Sequence, residues 1–159
     1  MISDTDMIHL RRSVDLAREA VEAGDQPFGS VLVAENGEVL KEERNHVGGG
    51  DHTRHPEFAL ARWAADNMTP EARAVATVYT SGEHCPMCAA AHGWVGLGRI
   101  VYAGSSKQLA GWLTELGVTP SRVKALPICD VIDDTVVEGP VEAFAEELQA
   151  LHAMCHRGG

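Results

Sequence analysis

The chain has 159 residues, 45% hydrophobic and 23% charged, which suits one globular domain around a single core. Its 13 basic residues stand against 23 acidic ones, a formal net charge of −10 with no basic run, which argues against a polynucleotide substrate and for a small neutral one. No apolar run approaches the roughly 20 residues that span a bilayer. The acidic start, Met1 to Asp6, lacks the basic-then-apolar form of an export signal, so the cytoplasm is the expected location and the four cysteines imply no disulfide framework.

Residues 4 to 23 read as an amphipathic helix, with Met7, Leu10, Val14, Ala17 and Val21 on one face and Gly24 as its stop. Phe28 to Ala34 is an apolar strand. Asn36-Gly37 signals a hairpin turn, and Val39 to Arg44 returns as the second strand. Val47 to Asp51 is a Gly-rich loop, with His46 and His52 beside it as exposed polar residues. Pro56 suits the first turn of a helix that runs to about Asn67 and carries Trp63 as a packing residue. Ala74 to Thr80 is rich in β-branched residues and reads as a strand. Cys85 to Val95 is a helix and Arg99 to Ala103 a strand. Ser105 to Leu116 is a helix closed by Gly117. Ala125 to Asp130 is expected as a short strand and Val141 to about Met154 as the last helix. Such alternation implies an α/β domain with helices packed on a mixed sheet, and residues 1–159 are read as that one domain.

Two short segments carry chemistry: His55-Pro56-Glu57 and Cys85-Pro86-Met87-Cys88. One imidazole and two thiolates make a three-ligand zinc site with an open position, and Glu57 is a spare carboxylate two residues from His55. An open position on zinc holds water and lowers its pKa to about 7, which sets a hydroxide nucleophile beside a proton carrier. Cys85 and Cys88 share one helix face, and the helix N-terminus favours thiolate. A Cys-x-x-Cys pair also occurs in redox centres and in structural zinc sites, where His84 or His92 would supply a fourth ligand. Neither alternative uses His-x-Glu at an upstream helix start. His152, Cys155 and His156 cluster near the C-terminus, where a frayed tail is the ordinary outcome and a second metal the rarer one. Cys129 is expected to be a small buried apolar residue.

These segments match the His-x-Glu and Pro-Cys-x-x-Cys signature of zinc-dependent base deaminases. Over about residues 7 to 112 the chain resembles the cytidine/deoxycytidylate deaminase superfamily, and most of all its guanine deaminase and tRNA adenosine deaminase branch. Pro27-Phe28-Gly29 is similar to the branch's Pro-Phe-Gly-Ala. Thr80-Ser81-Gly82-Glu83-His84-Cys85-Pro86-Met87-Cys88 is similar to its Thr-Ser-x-Glu-Pro-Cys-Pro-Met-Cys. Two departures stand out: His-Pro-Glu where His-Ala-Glu is usual, and His84 where proline is usual. Pro56 has no N–H, so a substrate contact through that donor is lost.

The resemblance implies a three-layer α/β/α fold with a five-stranded mixed sheet, and a homodimer. It assigns zinc to His55, Cys85 and Cys88, and proton transfer to Glu57. Asn45 falls where the branch carries a base-binding asparagine; from position alone it is a hairpin-end residue bonded to local backbone. Phe28 either stacks on the base or belongs to the core. Glu83 either bonds a substrate amine or caps a helix. Trp94 lines the pocket, meets a second subunit or is buried. Trp112 lies in a segment that shapes specificity among relatives, and the tail over about 141–159 covers an active site in guanine deaminases of this type. The expected activity is hydrolytic deamination of a nucleobase or nucleoside with release of ammonia, guanine being the first-choice substrate. Cytosine, guanosine, cytidine or a related amino-heterocycle comes second and adenosine in tRNA third. A non-catalytic structural zinc domain is the rival from another class.

Overall fold

The computed structural model describes residues 1–157. The first helix, α1 (Asp4–Glu22), starts at Ser3, whose hydroxyl accepts from the Asp6 amide while the Asp6 carboxylate accepts from the Ser3 amide. Strands β1 (Gly29–Val33) and β2 (Val39–Arg44) form the expected hairpin. Helix α2 (Pro56–Asn67) follows, then a short helix α3 (Pro70–Ala74), β3 (Thr77–Gly82), α4 (Pro86–Val95), β4 (Ile100–Gly104), α5 (Ser106–Glu115), β5 (Val137–Glu138) and α6 (Ala145–Arg157).

The five strands make one mixed sheet in the order β2-β1-β3-β4-β5. β1 runs antiparallel to β2 and β3, whereas β3, β4 and β5 are parallel. Side chains alternate between the two faces. Val31, Val33, Tyr79, Val101 and Ala103 pack with Leu10, Val14 and Ala17 of α1 and Leu148 and Leu151 of α6. Leu32 and Val78 pack on the other face with Leu60, Ala61 and Ala64 of α2, with Trp63 against them. Ile100, on that same parity, meets Ala89 of α4. The result is the three-layer α/β/α fold. Close packing of α1 on the sheet requires a glycine at 29, where a Cβ would fall 2.4 Å from both Leu16 Cβ and the Ser13 carbonyl oxygen.

Four expectations are corrected. The strand expected from Ala74 begins at Thr77, because Thr69 and Pro70 start a helical turn first, the Thr69 hydroxyl accepting from the Ala72 amide. No strand forms over 125–130. Pro127 has no ladder donor, the Ile128 amide is taken by the Glu83 carboxylate at 2.8 Å, and 128–130 turn as a short 3-10 helix. The edge strand is Val137–Glu138 instead. In the 3-10 turn Ile128 points inward and Cys129 is exposed, contrary to its expected burial. The last helix starts at Ala145, since the Val141 amide bonds the Ala103 carbonyl, and it runs unfrayed through Arg157; residues 158 and 159 of the expected tail lie outside the described residues.

One buried network ties the first helix to the sheet. Asp6 accepts two bonds from Arg99, both 2.9 Å, and one from the Tyr79 hydroxyl at 2.6 Å, while Arg99 also bonds Glu138 at 2.7 Å. The Arg99 guanidinium holds the Asp6 carboxyl well below the usual carboxylate range, against the opposing effect of burial. A depressed carboxyl contributes stability that is fully present above its unfolded pKa of about 4 and is lost as pH falls through its folded value. Asp6→Asn leaves Arg99 short of its counter-charge and should cost about 3 kcal/mol, roughly 6–12 °C in Tm. The loss should be full at pH 7 and shrink below about pH 4, where the unfolded chain takes up the proton while folded Asp6 stays ionised, as calorimetry from pH 7 down to about 2 would show.

Candidate metal centre and active site

The two chemical segments fold alike. His55 and Cys85 are the N-caps of α2 and α4, each followed by a proline at the first helical position and neither side chain making a capping hydrogen bond. Both side chains are thereby free to point outward at the positive ends of two helices. Cys88 lies one turn into α4. Pro56 fits that first position, where the missing N–H costs nothing.

His55 Nδ1, Cys85 Sγ and Cys88 Sγ form a triangle with all three edges 3.5 Å. Zinc–sulfur distances of about 2.3 Å and a zinc–nitrogen distance of about 2.0 Å place tetrahedral donors about 3.5–3.8 Å apart, so the triangle has the size of three zinc ligands. Among the described residues no further His, Cys, Asp or Glu joins the group. His84 and His92, the candidates for a closed structural site, instead pack on each other edge to face at 5.3 Å. Both are buried, and burial pushes their pKa values down and keeps them neutral.

The charges need a cation. The Cys85 thiol is brought down to about 4, chiefly by the bond from Cys88 and also by His55. Cys88 is then pushed up by the Cys85 thiolate, by burial and by Glu57. Glu57 itself is raised, first by burial. Two thiolates and a carboxylate share this pocket only with a divalent cation among them, and zinc is the ion this donor set suits.

Glu57 is 6% exposed; it is outside the ligand triangle but lies against one corner of it, its carboxylate hydrogen-bonded to the Cys88 side chain. Its Oε1 faces the hydroxyls of Ser30 at 3.1 Å and Thr80 at 3.0 Å, both wholly buried. Neither hydroxyl has a role that the sequence pattern assigns: Thr80 enters only as the first residue of the matched motif, and Ser30 only as a serine where the branch carries alanine after Pro-Phe-Gly. Asn45 is wholly buried, and its Oδ1 accepts from the backbone amides of Gln26 at 3.2 Å and Val47 at 3.0 Å. Its Nδ2 has no partner. Asn45 therefore makes the local backbone bonds of a hairpin-end residue and still holds one buried donor in reserve.

Phe28 is half-buried and lines a narrow cleft with Glu83, Trp112 and His152 of α6, the His152 ring edge-on to Phe28 at 5.3 Å. Burial lowers His152 to about 4, so it is neutral at physiological pH. Its cluster with Cys155 and His156 forms no metal-ligand group. Glu83 spends both oxygens on backbone amides, Ser106 at the start of α5 at 2.9 Å and Ile128 at 2.8 Å. It thus caps α5 rather than the metal helix, and each oxygen keeps one lone pair on the cleft that Glu83 lines. Trp94 is 90% exposed and is neither core nor, within one chain, a pocket residue. It sits nine residues along the helix axis from Cys85, about 13 Å away.

The family described as the cytidine and deoxycytidylate deaminase zinc-binding region matches residues 3–104. The probable cytosine deaminase of Schizosaccharomyces pombe is 32% identical over 121 residues, 75% of this chain and 72% of that one. The guanine deaminase of Bacillus subtilis is 33% identical over 102 residues, 64% of this chain and 65% of that one. The tRNA-specific adenosine deaminase of Agrobacterium fabrum is 32% identical over 133 residues, 83% of each chain. Among solved structures, guanine deaminase from Nitrosomonas europaea shares the fold with a TM-score of 0.68 at 19% identity, over 99% of this chain and 86% of that one.

Proposed function

The chain belongs to the cytidine and deoxycytidylate deaminase zinc-binding family, and from that membership we propose that it is a hydrolytic deaminase of a free nucleobase, guanine first and cytosine second. The observation that carries this reading is a buried carboxylate, Glu57, beside three ligand atoms that no fourth donor completes among the described residues. A structural zinc site would close its fourth position. The relatives support both bases, one being a guanine deaminase and another a probable cytosine deaminase. Adenosine in tRNA is disfavoured by the net charge of −10.

Zinc held by His55, Cys85 and Cys88 supplies Lewis acidity that brings water near ionisation at neutral pH. Glu57 accepts the proton that water gives up, the hydroxide so formed adds to the amino-bearing ring carbon, and Glu57 delivers the proton to the adjacent ring nitrogen, which takes up the electron pair of the opened C=N bond. In the second half Glu57 moves a proton from the new hydroxyl to the amine. The C–N bond then breaks, ammonia leaves and a ring carbonyl remains. Burial raises the Glu57 carboxyl above its ordinary value, which favours its return to the protonated form between the two transfers.

Asn45 can only donate, because its oxygen is spent. It reads a carbonyl oxygen or an unprotonated ring nitrogen on the base, and guanine and cytosine both offer one. Phe28 lies on the cleft side as a stacking surface, and α6 closes that side by setting His152 against it. Residues 1–159 act as one domain in this reading. A second copy covers the face of α4 on which Met87, Ala90 and the exposed Trp94 recur at steps of three and four. Among the described residues no helix is long and apolar enough to cross a membrane.

The test is ammonia release from a panel of free bases and nucleosides by zinc-loaded protein, with Asn45→Ala in parallel. Guanine should be the best substrate, and Asn45→Ala should lower kcat/KM by about 10–100-fold, the worth of one buried donor. Turnover of nucleosides alone would move the substrate, and no ammonia from any amine would sink the deaminase reading.

A further inference from the structure

Ser30 lies on β1 and Thr80 on β3, directly paired across the antiparallel ladder. Their hydroxyls are 2.8 Å apart, wholly buried, and both within 3.1 Å of Glu57 Oε1. Two hydroxyl protons serve two bonds. The shortest contact lets Ser30 donate to Thr80 Oγ1, which leaves the Thr80 proton for Oε1. A chain of this kind strengthens its last bond, because each donor is polarised by the one before it. The Gly82 carbonyl, 3.0 Å from Thr80 Oγ1, is the neutral alternative acceptor. Alanine and valine would fill the same volumes in this apolar sheet, next to Val31 and Val78, without any polar atom to satisfy. Glu57 Oε2 has no hydroxyl partner.

We propose that Ser30 and Thr80 are positioning residues that pin Oε1 of Glu57, so that Oε2 alone faces the reacting atoms. The inference rests on the deaminase reading of Glu57. An unpinned carboxylate rotates freely and exchanges its two oxygens. A pinned one is already aligned when the proton moves, and misplacement by about 1 Å costs on the order of 10²-fold in rate. The pinning survives the reaction: with the proton on Oε2, Oε1 is still an acceptor for the Thr80 hydroxyl.

The experiment compares zinc-loaded wild type, Ser30→Ala, Thr80→Val, Thr80→Ser and Glu57→Gln. Thr80→Val should lower kcat about 10–100-fold, Ser30→Ala by less, with KM changed under about threefold and zinc content unchanged; Thr80→Ser should restore most of the rate. A readout that needs no turnover is the infrared carboxyl band of Glu57, isolated by subtracting the Glu57→Gln spectrum. It should shift in Thr80→Val and Ser30→Ala and return in Thr80→Ser. Ser30→Ala removes one oxygen atom and carries the test if Thr80→Val does not fold. An unmoved band, or a kcat within twofold of wild type while Glu57→Gln is inactive, overturns the positioning role and leaves the deaminase reading standing. Full activity in Glu57→Gln overturns the deaminase reading itself.

Discussion

Glu57→Gln should give a folded protein with its zinc in place and ammonia release slowed by at least about 10²–10⁴-fold. The amide keeps the shape of the carboxyl group, and its oxygen can still accept from the Thr80 hydroxyl, so the buried site suffers no cavity. It has lost the ability to take a proton from water and pass it to the ring nitrogen. It also removes a negative charge that opposes Cys88 ionisation, so the metal ligands are not weakened. The comparison therefore separates proton transfer from scaffolding. Metal analysis and a melting curve should match wild type while kcat collapses. A variant that loses zinc, fold and turnover together would make Glu57 a structural residue and return the site to the non-catalytic class.

The chemistry was far more legible in the sequence than the pocket. Helix starts could be placed because His55-Pro56 and Cys85-Pro86 are local signals: the proline sits where no N–H is needed, and the residue before it becomes the N-cap whatever the rest of the chain does. The hairpin followed from Asn36-Gly37 for the same reason. The edge strand was misplaced because its site depends on a distant residue, Glu83, which takes the Ile128 amide and removes it from any ladder. The pairing of Ser30 with Thr80 is not legible in the sequence: a hydroxyl in a strand carries no mark of what lies across the sheet, and Ser30 offers only its departure from the branch's alanine. Only the β1–β3 register aligns them, and only α2 brings Glu57 over them. Glu83 shows the converse, a motif residue whose carboxylate turns out to cap backbone amides. Asn45 has its oxygen fixed by local amides and its nitrogen buried with no partner among the described residues.

Removing the metal should have the second large effect, on stability and activity together. In the metal-free protein Cys88 stays protonated, because Cys85, down to about 4, and Glu57 already crowd the pocket with negative charge. Zinc must expel that proton to gain its third ligand, and a second if His55, whose pKa is raised mainly by its bond with Cys85, is charged. Binding should thus release about one to two protons, and affinity should fall as pH falls. Calorimetric titration in two buffers of different ionisation enthalpy counts those protons directly. The metal stabilises only the folded chain, since α2 and α4 bring ligands 30 residues apart to within 3.5 Å. At zinc 1,000-fold above its Kd this contributes about 4 kcal/mol, which is roughly 8–16 °C of Tm lost to a chelator. Cys88→Ser should behave as the chelated protein does, with no recovery on adding zinc at matched concentrations. Unchanged melting and unchanged ammonia release after chelation would mean that the triangle holds no working metal, and the catalytic assignment would fall with it.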